Sequence, residues 1–305
     1  MPQPSVSAKP GLVDPLEDPT NGSKGRLFVV GTPIGNLEDI TLRAIRTLKE
    51  VDLIACEDTR RTQTLLNHYQ IRTPTISYHE HNEMTRAPEL VIKLEEGNNI
   101  ALVSDAGMPV VSDPGFRLVH LAVRHNIAVV PVPGASAFVA ALAASGMPVD
   151  NFRFLGFLPS KKAARRKALE ELKTATKTLV FYEAPHRVIE MLKDLGEILG
   201  DREVVLAREV TKVHEEFLRG TVSGLLECAK GKTMRGEITL LVGAASTPGE
   251  TRPANPLIKR EVEKLMAEGG LDERAALKAA AKARGISRSE AYRLLQRERP
   301  TQGRR

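Results

Sequence analysis

The stretch from Asn99 to Gly115, NIALVSDAGMPVVSDPG, concentrates more chemical possibility than any other part of the chain. Ile100, Ala101, Leu102 and Val103 form a short apolar run that suits a fully buried strand. The run breaks into Ser104-Asp105-Ala106-Gly107, a turn of small residues carrying one carboxylate. Open α/β sheets bind ligands outside the carboxyl ends of their strands, and this turn sits at such an end. Asp105 can accept a hydrogen bond there from an amine or a ribose hydroxyl, and Gly107 lets a ligand approach the backbone. Asp113-Pro114-Gly115 reads as a second turn, with Asp113 as N-cap and Pro114 as the first helical residue. The alternative is that both aspartates do no more than cap turns.

Three further turns follow apolar runs: Thr32-Pro33-Ile34-Gly35-Asn36, Pro133-Gly134-Ala135-Ser136, and Phe181-Tyr182-Glu183-Ala184-Pro185-His186-Arg187. Other familiar chemistries are set aside. Gly31 to Gly35 lacks the G-x-G-x-x-G spacing of a dinucleotide fingerprint, and Pro33 removes a backbone donor. Gly231-Lys232-Thr233 resembles the end of a P-loop, but Leu226 stands where the first glycine belongs. His79-Glu80-His81 puts two histidines on one side of a strand edge without a third ligand, so no metal is expected. No G-x-S-x-G nucleophile elbow is present.

These turns need strands and helices to hold them. Residues 1–24, with five prolines and no apolar run, read as a disordered leader and not a signal peptide. Strands are expected at Arg26–Val30, Val51–Ala55, Thr75–Tyr78, Ile100–Val103 and Ile127–Val132. Helices are expected over Asp39–Leu48, after Arg60, near Ala87–Glu95, from Pro114, and as a buried Ala-rich segment over Ala135–Ala144. This alternation implies a mostly parallel sheet with helices on both faces, the α/β domain of residues 25–145. The uncharged span Ile127–Val149 is broken by Pro131, Pro133, Gly134, Gly146 and Pro148, so no membrane span is expected.

A second domain, residues 146–245, reads as mixed α+β. Its strands are Phe152–Phe157, Thr178–Tyr182, Glu203–Ala207, His214–Arg219 and Glu237–Val242, with a hairpin near Val210 and helices from about Lys161, His186 and Ser223. Ser246–Pro256 reads as a linker. Residues 256–299 then read as a small helical domain: a helix over Asp272–Ala283, a turn at Gly285, and a helix from Arg288 capped by Ser287. The pattern resembles a helix-turn-helix.

Charge divides the chain along the same line. From Thr251 onward fourteen Lys/Arg face seven Asp/Glu, a net of +7, and everything before it nets −1. A basic module on a near-neutral body suggests a polyanionic partner. Aromatics make up 4% of residues, with no Trp, which argues against an aromatic platform for nucleic acid. Cys56 and Cys228 lie far apart, which suits a reducing, cytoplasmic location.

In order along the chain, the motifs GTPIGNLEDIT (31–41), CEDTR (56–60), HEHN (79–82), SDAGMPVVSDPG (104–115), VPVPGASA (130–137), FYEAPHR (181–187) and AREVTKVHEEFLRG (207–220) are similar to one family. The chain resembles the tetrapyrrole-methylase-like superfamily of S-adenosylmethionine-dependent methyltransferases. Within it, the resemblance is to the family that methylates a cytidine ribose 2′-hydroxyl in 16S rRNA. It covers roughly residues 25 to 245, and the helical tail is similar as well. Gly31 and Met108 depart from the common pattern, which has Pro and Thr there.

The resemblance implies a two-domain methylase fold, a homodimer, and S-adenosyl-L-methionine bound between the domains. Carried onto this chain, it implies a donor pocket of Ser104, Asp105, Ala106 and Gly107, with Pro33, Pro133, Gly134, Ala135 and Ser136 nearby. Methyl transfer to a hydroxyl needs alignment and a base. Asp58, His79, Glu183 and His186 are the candidates for that base. Arg60, Arg187, Arg208 and Lys212 are candidates for holding phosphates, and Lys278, Lys282, Arg284, Arg288 and Arg293 for docking RNA of the small ribosomal subunit. A tetrapyrrole acceptor and a non-catalytic ribosome-assembly factor are the competing readings.

Overall fold

In the computed structural model, residues 24–229, 234–245, 258–284 and 286–298 are described. The leader to residue 23, Gly231-Lys232-Thr233, the Ser246–Pro256 linker and Gly285 lie outside them. Lys24, counted with the leader above, is held: its Nζ donates to the His125 carbonyl at 2.8 Å.

The apolar strand that opens the central motif is buried at all four positions, because helices cover both faces of its sheet. Five parallel strands, β1 (Arg26–Val30), β2 (Leu53–Cys56), β3 (Thr75–Ser77), β4 (Ile100–Val103) and β5 (Ala128–Val132), lie in the order β3-β2-β4-β1-β5. The chain steps outward from β1 to β3 through α1 (Leu42–Glu50) and α2 (Thr59–His68), which pack on one face. It returns through α3 (Glu83–Glu95) and α4 (Phe116–Arg124), which cover the other. Right-handed crossovers demand that division.

Two local expectations are corrected. Asp113 does not cap α4: the helix starts at Phe116, and its N-cap is Gly115 at φ 138°. No side chain is favoured at that φ, so glycine makes the entry. The helix after β5, α5 (Ala137–Ser145), is not fully buried. Val139 is 51% exposed, and only one side, with Ala141 and Leu142, is packed.

That packed side of α5 lies on the second sheet, against Val180, Val205 and Leu241, so α5 ties the two halves together. This sheet is mixed, in the order β6-β7-β10-β8-β9. Its strands are β6 (Phe152–Phe157), β7 (Thr178–Glu183), β8 (Glu203–Arg208), β9 (Glu216–Thr221) and β10 (Ile238–Val242). β6 and β7 are parallel, and β8 and β9 form the expected antiparallel hairpin. Helices α6 (Lys162–Glu170), α7 (Val188–Leu199) and α8 (Val222–Ala229) close its far face over a core centred on Phe181, Leu192 and Leu240. The tail packs α9 (Ile258–Gly269), α10 (Glu273–Ala283) and α11 (Arg288–Glu298) around Val262, Ala280 and Leu295. Asp272 and Ser287 cap α10 and α11 by accepting from Ala275 N and Glu290 N.

Candidate active site

β4, β1 and β5 are neighbours, so the turns at their carboxyl ends meet. Thr32 and Gly107 exchange backbone hydrogen bonds of 2.9 and 3.1 Å, and Gly31 N donates to the Val132 carbonyl at 3.0 Å. The buried Thr32 hydroxyl donates to the Ser104 carbonyl at 3.3 Å. The Pro33, Ser104–Gly107 and Pro133–Ser136 turns are thereby joined into one surface.

Above this surface opens a cleft of about 350 Å³ between the two sheets. Ala106, Gly107 and Ser136 line it from the first half, and Phe157, Tyr182 and Glu183 from the second. Ser104 is buried beneath, with its hydroxyl donating to the Ala106 carbonyl. Pro33, Pro133, Gly134 and Ala135 belong to the joined turns and do not reach the lining. Asp105 is turned away. Its Oδ1 accepts from Asp58 N at 3.0 Å, and its Oδ2 stands 3.3 Å from Arg61, so it anchors the start of α2 instead of facing a ligand.

The turn after Gly107 brings a carboxylate to the cleft from the first half. Val110 and Ser112 have φ of 75° and 67°, a costly conformation for side-chain-bearing residues, and a β-branched one above all. Asp113 lines the cleft next to them. Burial raises its carboxyl to about 6, helped by the nearby charges of Glu57 and Asp105 and opposed by the neighbouring Ser104 hydroxyl. Nothing in the sequence distinguishes this aspartate from a turn cap.

The four candidate bases are separated by the fold. Glu183 alone reaches the cleft. It is 2% exposed, its Oε1 accepts from Ala184 N at 2.8 Å and lies 3.3 Å from Arg187 Nε, and its Oε2 has no partner. Asp58 instead caps α2 and pairs with Arg60 at 3.0 Å. Those bonds hold its carboxyl down at about 2, which leaves a weak base. His79 lies past the end of β3 and not on a strand edge. Its backbone N–H donates to Asn82, and its ring meets His81 edge-on at 5.9 Å. His186 is exposed on the turn after β7. Among the described residues no group of three or more His, Cys, Asp or Glu could hold a metal ion.

The candidate phosphate-holding side chains are all engaged. Arg60 pairs with Asp58, and Arg187 lies beside Glu183 and donates to the Leu158 carbonyl at 3.0 Å. Arg208 pairs with Glu216 at 3.0 Å, and Lys212 is held between Glu209 at 2.8 Å and Glu237 at 3.2 Å. In the tail, Arg284 is 2.7 Å from Glu261 and ties α10 to α9. Lys278 and Lys282 are exposed, while Arg288 and Arg293 share a groove with Arg274 and Tyr292.

Residues 26–226 match the family described as Tetrapyrrole (Corrin/Porphyrin) Methylases. The chain belongs to this family. Among relatives of the methylase is a protein named Ribosomal RNA small subunit methyltransferase I from Halalkalibacterium halodurans, 50% identical over 90% of this chain and 96% of that protein. One of the same name from Thermotoga maritima is 52% identical over 72% of this chain and 98% of its own length. The solved structure of a cobalamin biosynthetic enzyme, cobalt precorrin-4 methyltransferase, superposes with a TM-score of 0.55 at 18% identity, covering 72% of this chain and 94% of that one. That likeness shows the shared fold.

Methylases of this family use S-adenosyl-L-methionine, and the cleft suits it. A volume of about 350 Å³ lies within the range of small-molecule pockets. Small side chains at Ala106, Gly107 and Ser136 leave room for an adenosyl group. The unpartnered Glu183 Oε2 offers an acceptor to an ammonium or hydroxyl.

Proposed function

We propose that the chain methylates a cytidine ribose 2′-hydroxyl of 16S rRNA in the small ribosomal subunit, with S-adenosyl-L-methionine as donor. The observation that carries the reading is the 50% identity, over almost all of its length, to a relative named as a ribosomal RNA small subunit methyltransferase. A second support is the tail groove, where Arg274, Arg288 and Arg293 stand beside the half-exposed Tyr292, an arrangement suited to the phosphates and bases of RNA.

Bound in the cleft, S-adenosylmethionine supplies an electrophilic methyl group on a sulfonium. The rest of the chemistry falls to the chain. Ala106, Gly107 and Ser136 shape the donor side, and Glu183 Oε2 accepts from the donor's polar groups. Asp113 takes the proton from the acceptor hydroxyl: with its carboxyl near 6 it is ionised at neutral pH yet more basic than an ordinary aspartate. Arg187 fixes Glu183 and the loop before α6, through Glu183 Oε1 and the Leu158 carbonyl.

The protein is proposed to act in the cytoplasm as a homodimer. Among the described residues no helix is long and apolar enough to cross a membrane. Met84 and Ile92 on α3 and Phe116 and Val123 on α4, each more than half exposed, supply an apolar face for a second copy. Sedimentation should give twice the chain mass.

The deciding experiment is transfer of labelled methyl from S-adenosylmethionine to unmethylated small ribosomal subunits, with mass mapping of the product nucleotide. A 2′-O-methylcytidine in 16S rRNA is expected. Transfer to a porphyrin precursor alone would replace the reading with its tetrapyrrole competitor, and donor binding without any transfer would leave an assembly factor.

A further inference from the structure

With twelve aromatic residues in 305, none of them Trp, the chain is poor material for a stacking site by composition; the fold gathers five of the twelve into one continuous run beside the cleft. Phe152 meets Phe138 at 6.4 Å between ring centres, Phe138 stacks on Phe154 at 4.3 Å, Phe154 meets Tyr182 edge-on at 5.1 Å, and Tyr182 meets Phe157 at 5.6 Å. Phe138 and Phe154 are packed between α5 and the second sheet, and Phe152 at the start of the run is exposed. The last, Phe157, is 56% exposed and lines the cleft.

Phe157 reaches that position through a device in the backbone. β6 is an edge strand, and its pairing with β7 slips between Phe154, opposite Val180, and Gly156, opposite Phe181. Without the slip, side chains would alternate, and Phe157 would point to the face opposite Phe154. The extra residue, Leu155, turns into the far core, and Phe157 comes into register with Tyr182 on the cleft side. Gly156 makes the bulge at φ 61°, where a Cβ would also stand 2.8 Å from Ser112 Oγ. Bulges beside active sites serve to re-aim one side chain. Here that side chain is a large apolar ring held in solvent at the mouth of a reaction cleft.

We propose that Phe157, backed by Tyr182, is the surface on which the base of the target nucleotide stacks while its ribose enters the cleft. The inference rests on the RNA reading above. It assigns the ring to the acceptor and not to the donor's adenine, because Phe157 lines the cleft from the second sheet and is 56% exposed there, whereas the small residues suited to the adenosyl group line the first half. An unstacked base finds an aromatic face without needing sequence-specific hydrogen bonds, and such contacts are worth about 1–3 kcal/mol each.

The test compares native protein with Phe157→Ala, Phe157→Leu and Phe157→Tyr. Leucine keeps the apolar bulk and removes the aromatic face, so it separates stacking from folding if alanine destabilises the strand. On unmethylated small subunits kcat/KM should fall about 5- to 150-fold in the alanine and leucine variants and recover in the tyrosine variant. Calorimetric affinity for S-adenosylmethionine should stay within about twofold, the spread of a change that leaves the donor site intact. As a readout apart from turnover, an rRNA fragment with fluorescent pyrrolocytosine at the target position should be quenched on binding native protein and not on binding the leucine variant. A parallel loss of donor affinity would place the adenine on this ring instead, and unchanged kcat/KM and quenching would make Phe157 bare surface; either result overturns the proposal. If native protein transfers no methyl to rRNA, the RNA reading itself falls, a result separate from these.

Discussion

Gly31 and Gly134 meet backbone to backbone: a Cβ on Gly31 would stand 2.7 Å from Gly134 Cα, and one on Gly134 would stand 2.8 Å from the Gly31 backbone. In this chain the β1 and β5 turns converge under the cleft at two residues that both lack side chains. Met108 fills the remaining space, with its Sδ 2.6 Å from the same Gly31 position. The two departures from the family pattern thus touch each other at the cleft floor.

Gly134→Ala should therefore push the turns apart. Donor affinity is expected to fall about tenfold, or roughly 1.4 kcal/mol. Adding Met108→Ala should not restore it, because the obstacle is backbone. Calorimetry on the single and double variants checks both statements, and an unchanged affinity would mean that the turns yield without moving the cleft.

Asp113 gives a pH prediction with two opposite signs. Its carboxyl lies near 6 in the folded protein against an ordinary value near 3.8. Between those values the folded state binds more protons than the unfolded state, so this group's contribution to stability falls as pH rises from about 4 to about 6. Asp113→Asn removes the penalty and should stabilise the protein at pH 7 by about 1–3 kcal/mol. It also removes the base: native kcat should rise with pH through about 6, while the variant should be slow and lack that limb. Higher stability together with unchanged kcat would leave Asp113 a buried charge without a catalytic role.

The strand ends were legible because their signals are local. Four apolar residues followed by Ser104-Asp105-Ala106-Gly107 announce a buried strand and an open turn, and that is what forms. The roles of individual polar side chains were not legible, since they depend on what the fold brings near. Asp105 and Asp113 both look like turn residues, yet one anchors α2 and the other lines the cleft. Asp58 and Glu183 are both carboxylates at the ends of apolar runs, but only Glu183 is at the end of a strand that borders the cleft. Phe157 was invisible for a different reason. Simple alternation gives it the wrong face, and one inserted residue reverses the answer.

A structural prediction concerns Arg165, which is 1% exposed and pairs with the buried Asp194 at 2.7 Å. Burial works against the Asp194 charge, but Arg165 and Arg166 outweigh it and hold the carboxyl below its usual range. A carboxyl lowered on folding contributes stability above its unfolded value near 4, and that contribution is lost as pH falls through the folded value. Asp194→Ala leaves a buried cation without its partner and should cost about 3–5 kcal/mol in chemical denaturation at pH 7. The difference from native protein should narrow in acid. A loss below about 1 kcal/mol at pH 7 would show that Glu190 alone satisfies Arg165.

The last prediction concerns the basic tail. Arg274, Lys278, Lys282, Arg288 and Arg293 are exposed on α10 and α11, whereas Arg284 is occupied by Glu261. Each exposed side chain that meets a phosphate releases counterions, so rRNA affinity should fall steeply with salt. Deleting residues 246–305 should flatten the slope of log affinity against log salt by about 2–3.5, the effect of three to five lost contacts at about 0.7 each on unpaired RNA. Arg284→Ala in the full chain should hardly change that slope, since its charge is already paired, but it should loosen the packing of α9 on α10. Donor affinity should not change, because none of the described tail residues lines the cleft. A truncated protein that keeps the full salt slope and full turnover on small subunits would reduce the tail's charge to a solvated surface.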